Sequence, residues 1–398
     1  MSQIIQHRRG TAASAASNNP ILAEGEMGVE TDTGQFKVGD GVTPWNSLPY
    51  GGLQGPAQTN ILMGFGDGSD LNGVITGTLN MTRSYFYNNL TISGAGKIIT
   101  NGYRLFVKDT LDITAAGAKA ISCTGNDGQN ATTQTGAAAP TAQAAAVLGV
   151  GTAGTAGATG VVGAGATGTA PTAATPSNGG ANGASGAGGL GASAGGAAGA
   201  QVSPTLPMDI RRFTYDFIRG ATLIQGGVGG RGGSSGGGDG VATRAQQGGG
   251  SGGNGGGMLV IYAKNINRSG STAAGAISAR GGDGGSNIGT PAGNAGGSGG
   301  ASGGGGGCAV IYYETLLGTT ATNCIDASGG NGGSGANGAG TGLGGNGGNG
   351  GNGGNIYLLK TLDSSSTVVN GSAGSAGSAG SGVTGGVGGS GGACVLSL

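Results

Sequence analysis

Along the chain the apolar positions come in short clusters, and their spacing changes from one region to the next. Over residues 1–53 they are pairs and triplets, Ile21-Leu22, Gly28-Val29 and Phe36-Lys37-Val38, set apart by Glu24-Gly25-Glu26 and Thr31-Asp32-Thr33-Gly34. Two short strands joined by the Thr31–Gly34 turn fit this pattern, because Asp, Thr and Gly favour tight turns. Gly39-Asp40-Gly41 marks a second turn, and Trp45, Leu48 and Tyr50 supply the apolar weight of a small unit. A unit of roughly 50 residues is marginal alone, so it is expected to complete its core by oligomerising or docking.

Residues 54–60 read as a short linker. Beyond them β-branched and aromatic pieces crowd together: Val74-Ile75, Tyr85-Phe86-Tyr87, Leu90-Thr91-Ile92, Ile98-Ile99-Thr100, Arg104 to Val107, Leu111-Asp112-Ile113 and Ala120-Ile121. Asn-Gly and Gly-Ala-Gly turns divide them, which predicts strands stacked coil upon coil in a β-solenoid.

The C-terminal half repeats. Val260 to Ile266, Val310 to Leu316 and Ile356 to Leu362 align at spacings of 50 and 46. Each precedes a second short strand, at Ala276 to Ala279, Cys324 to Ala327 and Thr367 to Asn370, and then a glycine field. Arg104 to Leu111 with Ala120 to Cys123 reads as an earlier copy, and Cys394 begins a last strand that closes the stack. One unit is strand, turn, strand and glycine-rich return, which buries little unless its copies stack.

Composition changes the picture most in those returns. Glycine supplies 103 of 398 residues, while aromatics fall to 4% and charged residues to 9%, so a conventional core is thin. Gly151, Gly154, Gly157, Gly160 and Gly163 lie three apart, as do Gly180, Gly183, Gly186 and Gly189. Gly344-Gly345-Asn346 repeats as a triplet through Asn355, and Gly371-Ser372-Ala373 repeats through Gly380. Three residues per turn is the period of the left-handed polyproline II helix, whose N–H and C=O groups point sideways and unbonded. Ordering each backbone residue costs roughly 1–2 kcal/mol, and more for Gly. A hydrogen bond returns about 0.5–1.5 kcal/mol net, and a Cα–H···O contact about 0.5–1 kcal/mol. A lone glycine helix therefore melts, and a bundle of several holds. With 10 Pro in the chain, collagen is a poor fit, since it carries at least ~15–20% Pro. The expected fold is mostly β: a module at 1–53, a solenoid-like region at 61–130, an Ala/Gly/Thr-rich triplet region at 131–205, and strand repeats with polyglycine-II helices at 206–398.

The formal net charge is zero and basic runs are no longer than a pair, as at Arg211-Arg212. Neutralising phosphates takes a row of Lys and Arg, so nucleic acid is not an expected partner. Asp127 to Asp209 encloses no charged residue, yet that run is Ala, Gly and Thr and lacks the ~20 apolar residues of a membrane span. Met1 to Arg9 has no apolar signal core. Cys123, Cys308, Cys324 and Cys394 form no CxxC pair, and His7 is the sole histidine. No disulfide framework, zinc site or cofactor is expected; the thiols read as small, reduced, buried hydrophobes.

The run Arg8-Arg9-Gly10-Thr11-Ala12, then Asn19 to Gly34, Phe36 to Gly41 and Trp45 to Tyr50, resembles the N-terminal module of phage tail fibres, a family that includes the heads of the major tropism determinant and of phage hyaluronidases. The family often carries a bulky aromatic after the Thr-Ala pair, where this chain has Ser14 and Ala15. The resemblance implies attachment to the virion, usually as a trimer, with Phe36, Trp45, Leu48 and Tyr50 as the candidate anchor. The glycine-rich half resembles, in composition and triplet period, the adhesins at the tips of some phage long tail fibres.

Catalysis finds little footing. Glycoside cleavage needs two positioned carboxylates; Asp109 and Asp112 are close in sequence, but Asp at strand ends usually serves turns. A Ser–His–Asp set would have to use His7, inside the module. Gly281 to Gly285, around Asp283, and Gly238-Asp239-Gly240 lack the tandem Asp of calcium-binding repeats, and no glycine run ends in Gly-Lys-Ser/Thr. Nor does any flat threonine array support an ice-binding surface. One segment interrupts the glycine field: Met208 to Arg219, with Arg211, Arg212, Phe213, Tyr215 and Phe217. These residue types dominate interfaces, although the aromatics also suit one alternating strand packed locally.

The expectation is a non-enzymatic virion protein, made in the host cytoplasm. It would join tail, baseplate or neck proteins and touch a host cell-surface receptor, as a homo-oligomer with a trimer favoured. The alternatives are a purely structural fibre, neck or capsid decoration, and a polysaccharide-degrading tail protein.

Overall fold

The computed structural model describes residues 7–48, 50, 64–143, 148–174, 177, 179–204, 226–241, 246–268, 272–289, 291–317, 324–360 and, for the backbone alone, 366–370. The expected linker at 54–60, the Arg211–Phe217 segment, the triplets from Gly371 and the strand at Cys394 lie outside the described residues. Contacts divide the chain into two units, Met1–Gly64 and Phe65–Leu398.

In the first unit, β1 (Arg8–Gly10) lies parallel to β2 (Met27–Glu30), which pairs antiparallel with β3 (Phe36–Val38) across the Thr31–Gly34 turn. A helix that the apolar pattern does not announce, α1 (Ala12–Asn18), opens on Thr11, whose side chain accepts the N–H of Ser14. It ends where Asn19 adopts a left-handed φ of 40°, a conformation Asn tolerates better than most residues. Alternation hides this helix, because its seven residues carry no apolar stripe. Ala15 packs against the core of Leu22, Trp45 and Leu48, so a small residue closes the core at this point of the helix. Gly28 is required here: a Cβ on it would overlap the Trp45 ring.

The second unit is built on two parallel sheets. The larger runs in the order β16-β15-β13-β11-β9-β7-β4, with β6 also on β9, and the smaller in the order β14-β12-β10-β8-β5. The long strands are β9 (Arg104–Ala116), β11 (Met258–Asn267), β13 (Cys308–Leu317) and β15 (Asn355–Lys360); the short partners are β10 (Ile121–Ser122), β12 (Ile277–Ser278) and β14 (Ile325–Asp326). Before them come β4 (Gly73–Ile75), β5 (Thr78–Asn80), β6 (Tyr85–Tyr87), β7 (Leu90–Gly94) and β8 (Lys97–Ile99). Period-2 alternation sends Leu105, Ile261, Ile311 and Leu358 to one face in register. There they meet Ile98, Ile121 and Ile277 of the smaller sheet. On the other face Phe86, Phe106, Tyr262 and Tyr312 stack ring on ring at 4.6, 4.7 and 4.5 Å, the spacing that parallel strands impose. The fold is mostly β with parallel sheets and no closed barrel.

Two details of the expected repeat are corrected. Val260 pairs with Val310, but Ile356 pairs with Ala309, and Tyr357 takes the place opposite Val310. The last spacing is thus one residue longer than alignment by apolar type suggests. The physical reason is the pleat: a one-residue slip would turn Ile356 and Leu358 away from the core face. The last second strand, β16 (Ser366–Asn370), does not join the smaller sheet but turns back antiparallel on β15. Only residues 361–365 separate β15 from β16, against 268–276 and 318–324 in the earlier copies, and so short a link suits a hairpin.

The glycine runs are the returns between coils. Each leaves the strands, turns and comes back, and they bond side by side with a period of three. The run from Ala295 to Gly307 shows the whole rule. N–H groups of Gly297, Gly300, Gly303 and Gly306 donate to carbonyls of Leu343, Asn346, Asn349 and Asn352. One residue earlier, Gly296, Gly299, Ser302 and Gly305 donate to Gly237, Ser234, Arg231 and Val228. The third phase, Ala301, Gly304 and Gly307, donates to Gly285, Gly282 and Ala279. Its carbonyls accept in the same rotation from runs 180–189, 253–256 and 330–339. One run thus bonds to six neighbours, as three-fold extended segments in a hexagonal array do. Cβ atoms built on Gly300 and Gly303 would overlap the carbonyl oxygens of Gly333 and Gly330. The triplet at Gly151 to Gly160 follows the rule, whereas Gly163, at φ 92°, is the turn that ends its run.

Candidate functional site

In the first unit, pleating turns the middle residue of β3 toward the core. Lys37, not Phe36 or Val38, faces inward: it is 5% exposed, against 42% for Val38. A buried ammonium must be satisfied, and Lys37 Nζ donates to the Trp45 carbonyl at 2.7 Å. It also lies 5.2 Å from the Trp45 ring centre and 4.3 Å from that of Tyr50, close enough for both rings to stabilise the cation. Glu30 is buried on the same side; it accepts the Tyr50 hydroxyl at 2.7 Å and the Thr33 hydroxyl at 2.5 Å. That bond to the Glu30 carboxylate raises the Tyr50 pKa above its usual 10.0. Of the four candidate anchor residues, Trp45 and Leu48 are core, while Phe36 and Tyr50 are half-buried. Sequence reasoning missed Glu30 and Lys37. Their signal was register: in a two-residue period both fall in line with Gly28, which must face the Trp45 ring. The apolar positions left outside are Ile21, Val38 and Val42, exposed at 54, 42 and 74%.

Among the described residues of the second unit, the carboxylates singled out in the sequence are engaged. Asp109 accepts the amide of Asn265, and Asp112 accepts the N–H of Thr114. Asp283 pairs with Arg280 and accepts the N–H of Asn331. Asp239 caps the N–H of Val241 in its own turn. Cys123, Cys308 and Cys324 are free and buried, and burial pushes the thiols of Cys123 and Cys308 up. No helix among the described residues is long and apolar enough to cross a membrane.

What remains is the far end of the glycine bundle, where the runs turn. Among the described residues of the glycine runs, the exposed large apolar side chains are Val161, Val162, Leu190, Val241 and Ile288. The pairing shows that they share one end. Gly180 bonds beside Gly306, next to β13, but Gly189 bonds beside Gly297; Gly226 bonds beside Val150, but Gly236 bonds beside Gln247; and Ile288 bonds to Ala131, well beyond β10.

Residues 5–43 match the family model of the Major tropism determinant N-terminal domain, about a tenth of the chain. Phe36 falls inside that stretch, and Trp45, Leu48 and Tyr50 follow it. No curated protein and no solved structure matches the chain. The module with its buried Lys37 is therefore similar to the N-terminal module of phage tail and tropism proteins.

Proposed function

We propose that the chain is a non-enzymatic fibre or adhesin of a tailed-phage virion, held to the particle by its first unit and reaching the host surface with the far end of its glycine-rich body. The match over residues 5–43 carries the reading. The exposed Ile21, Val38 and Val42 support docking of that unit against other virion proteins or further copies, with a trimer favoured. The six-neighbour bonding supports a stiff body of polyglycine-II helices, and a stiff body suits a tip that must present one surface. Exposed apolar residues gathered at one end support contact there, since scattered single ones would need no explanation. The engagement of Asp109 with Asn265 and of Asp112 with the Thr114 N–H supports binding over cleavage.

Adsorption competition tests this. Purified full-length chain should block phage adsorption to host cells; failure to block while remaining in the particle would leave a purely structural fibre. Loss of host polysaccharide in the absence of phage would instead mark an enzyme.

A further inference from the structure

The far end carries a cavity of about 640 Å3, within the roughly 300–1,000 Å3 usual for small-molecule sites. Thr132 to Thr135 form one wall, Gln246 and Gln247 the floor, and Ile288 and Pro291 the opposite side; none of the described lining residues is charged. The wall is pinned through its backbone, which leaves its side chains exposed: the Thr133 carbonyl accepts from Gly248 N–H at 3.1 Å and the Gln134 carbonyl from Gly160 N–H at 2.7 Å. The floor is pinned too, since the Gln247 carbonyl accepts from Gly236 N–H and the next carbonyl, of Gly248, accepts from the buried Asn287 amide; on the opposite side Ile288 N–H donates to Ala131.

Gln247 is 6% exposed, and its Oε1 is buried with no hydrogen-bond partner among the described residues. A buried acceptor left without a donor destabilises its site, so a ligand hydroxyl toward which the Gln247 amide turns gains by supplying one. Gly289 makes the placement possible, because a Cβ on it would overlap the Gln247 amide. We infer that this cavity binds an uncharged saccharide, a deduction that rests on the adhesin reading for its biological setting. Hydroxyls of a neutral sugar both donate and accept, matching amide and hydroxyl walls without an ionic partner. Ile288, 65% exposed, and Pro291 offer an apolar side for the C–H face of a sugar ring. Phosphate or carboxylate ligands would find no cation among the described lining residues.

The test is binding of the full-length chain to an array of uncharged and anionic bacterial surface glycans. Retention on uncharged glycans is expected, with a tenfold or greater loss of affinity in Gln247→Leu and in Gly289→Ala, which displaces the Gln247 amide. Gln134→Ala alters an exposed side chain and should lower affinity several-fold without touching the fold. Affinity should be flat between about pH 5 and pH 8, where histidine is the side chain that ordinarily titrates. Binding to anionic glycans alone, to none, or unchanged in Gln134→Ala and Gln247→Leu would overturn the inference. Adsorption competition separates it from the broader reading: Gln247→Leu that still blocks adsorption fully removes the site and keeps the adhesin, whereas glycan binding without blocking does the reverse.

Discussion

At the scale of single residues, glycine in the bundle is chosen for absent volume more than for backbone freedom. Gly300 has carbonyl oxygen of Gly333 where its Cβ would stand, while Gly77 has nothing within 4 Å. Gly300→Ala should therefore destabilise the second unit by about 3 kcal/mol, at the upper end of ordinary overpacking, because backbone carbonyls cannot swing aside. Gly77→Ala should change stability by less than about 1 kcal/mol, and in the stabilising direction; thermal unfolding of the two variants compares them directly. In the first unit the telling residue is Asp40, which accepts from Val42 N–H, Thr43 N–H and the Thr43 hydroxyl. Those bonds, the Thr43 hydroxyl foremost, lower its pKa from 3.8 to about 2. A depressed carboxylate pKa stabilises the fold above the unfolded value and loses that contribution as pH falls through the folded one. Asp40 should thus help hold its turn at pH 5 and cease to do so between about pH 4 and pH 2. Carboxyl-selective NMR titration of Asp40 should give a midpoint near 2; an ordinary midpoint would remove the turn's electrostatic support.

At the scale of elements, the parallel sheet is a set of ladders, and the aromatic one is the most exacting. Tyr262 is 5% exposed and lies between the rings of Phe106 and Tyr312, 3° from parallel with the latter. Tyr262→Ala should cost roughly 3–5 kcal/mol, the range for deleting a buried aromatic ring, measured as a shift in denaturant midpoint. A shift no larger than that of an exposed substitution such as Val74→Ala would mean the stack contributes nothing beyond its register. Much at this scale was legible in the chain itself. Recurrence of Val-Ile-Tyr at 260 and 310 fixes the β11–β13 register, and Ile121, Ile277 and Ile325 mark the smaller sheet. The β15 register was not legible, since Ile356 and Tyr357 are both plausible partners for Val310 until the core face is known. Nor was the inward Lys37. The apolar pieces Gly28-Val29 and Phe36-Lys37-Val38 do not by themselves say which side faces in, and the Trp45 ring over Gly28 reveals that Lys37 does. Likewise the triplet period announces the glycine runs but not which run lies beside which; that order depends on six partners far apart in sequence.

At the scale of the whole molecule, the second unit poses a question of cooperativity. A sheet stack and a glycine bundle would unfold separately if each closed its own hydrogen bonds, but here they share a boundary. Cys308, the first residue of β13, donates to Gly257, and Asn355, the first of β15, donates to Gly307, so the bonding passes from run to strand without a break. The returns from β12 to β13 and from β14 to β15 each add two runs to the bundle, and the one from β10 to β11 adds more, so removing one of these strands would shift the runs that follow it. Opening of the bundle should therefore carry the same free energy as opening of the sheets. Amide hydrogen exchange on the full-length chain can measure this. Residues 297–306, which have neighbours on all sides, should be protected to within about tenfold of residues 258–263 in β11, a difference of about 1.4 kcal/mol. The far-end turns at 161–163 and 239–241 should exchange freely. Rapid exchange at 297–306 beside a protected β11 would mean the runs are a loose appendage on a stable sheet. A rigid tip could not then be presented, and the adsorption role proposed for the far end would lose its physical basis even though residues 5–43 would still match the tropism-determinant N-terminal domain.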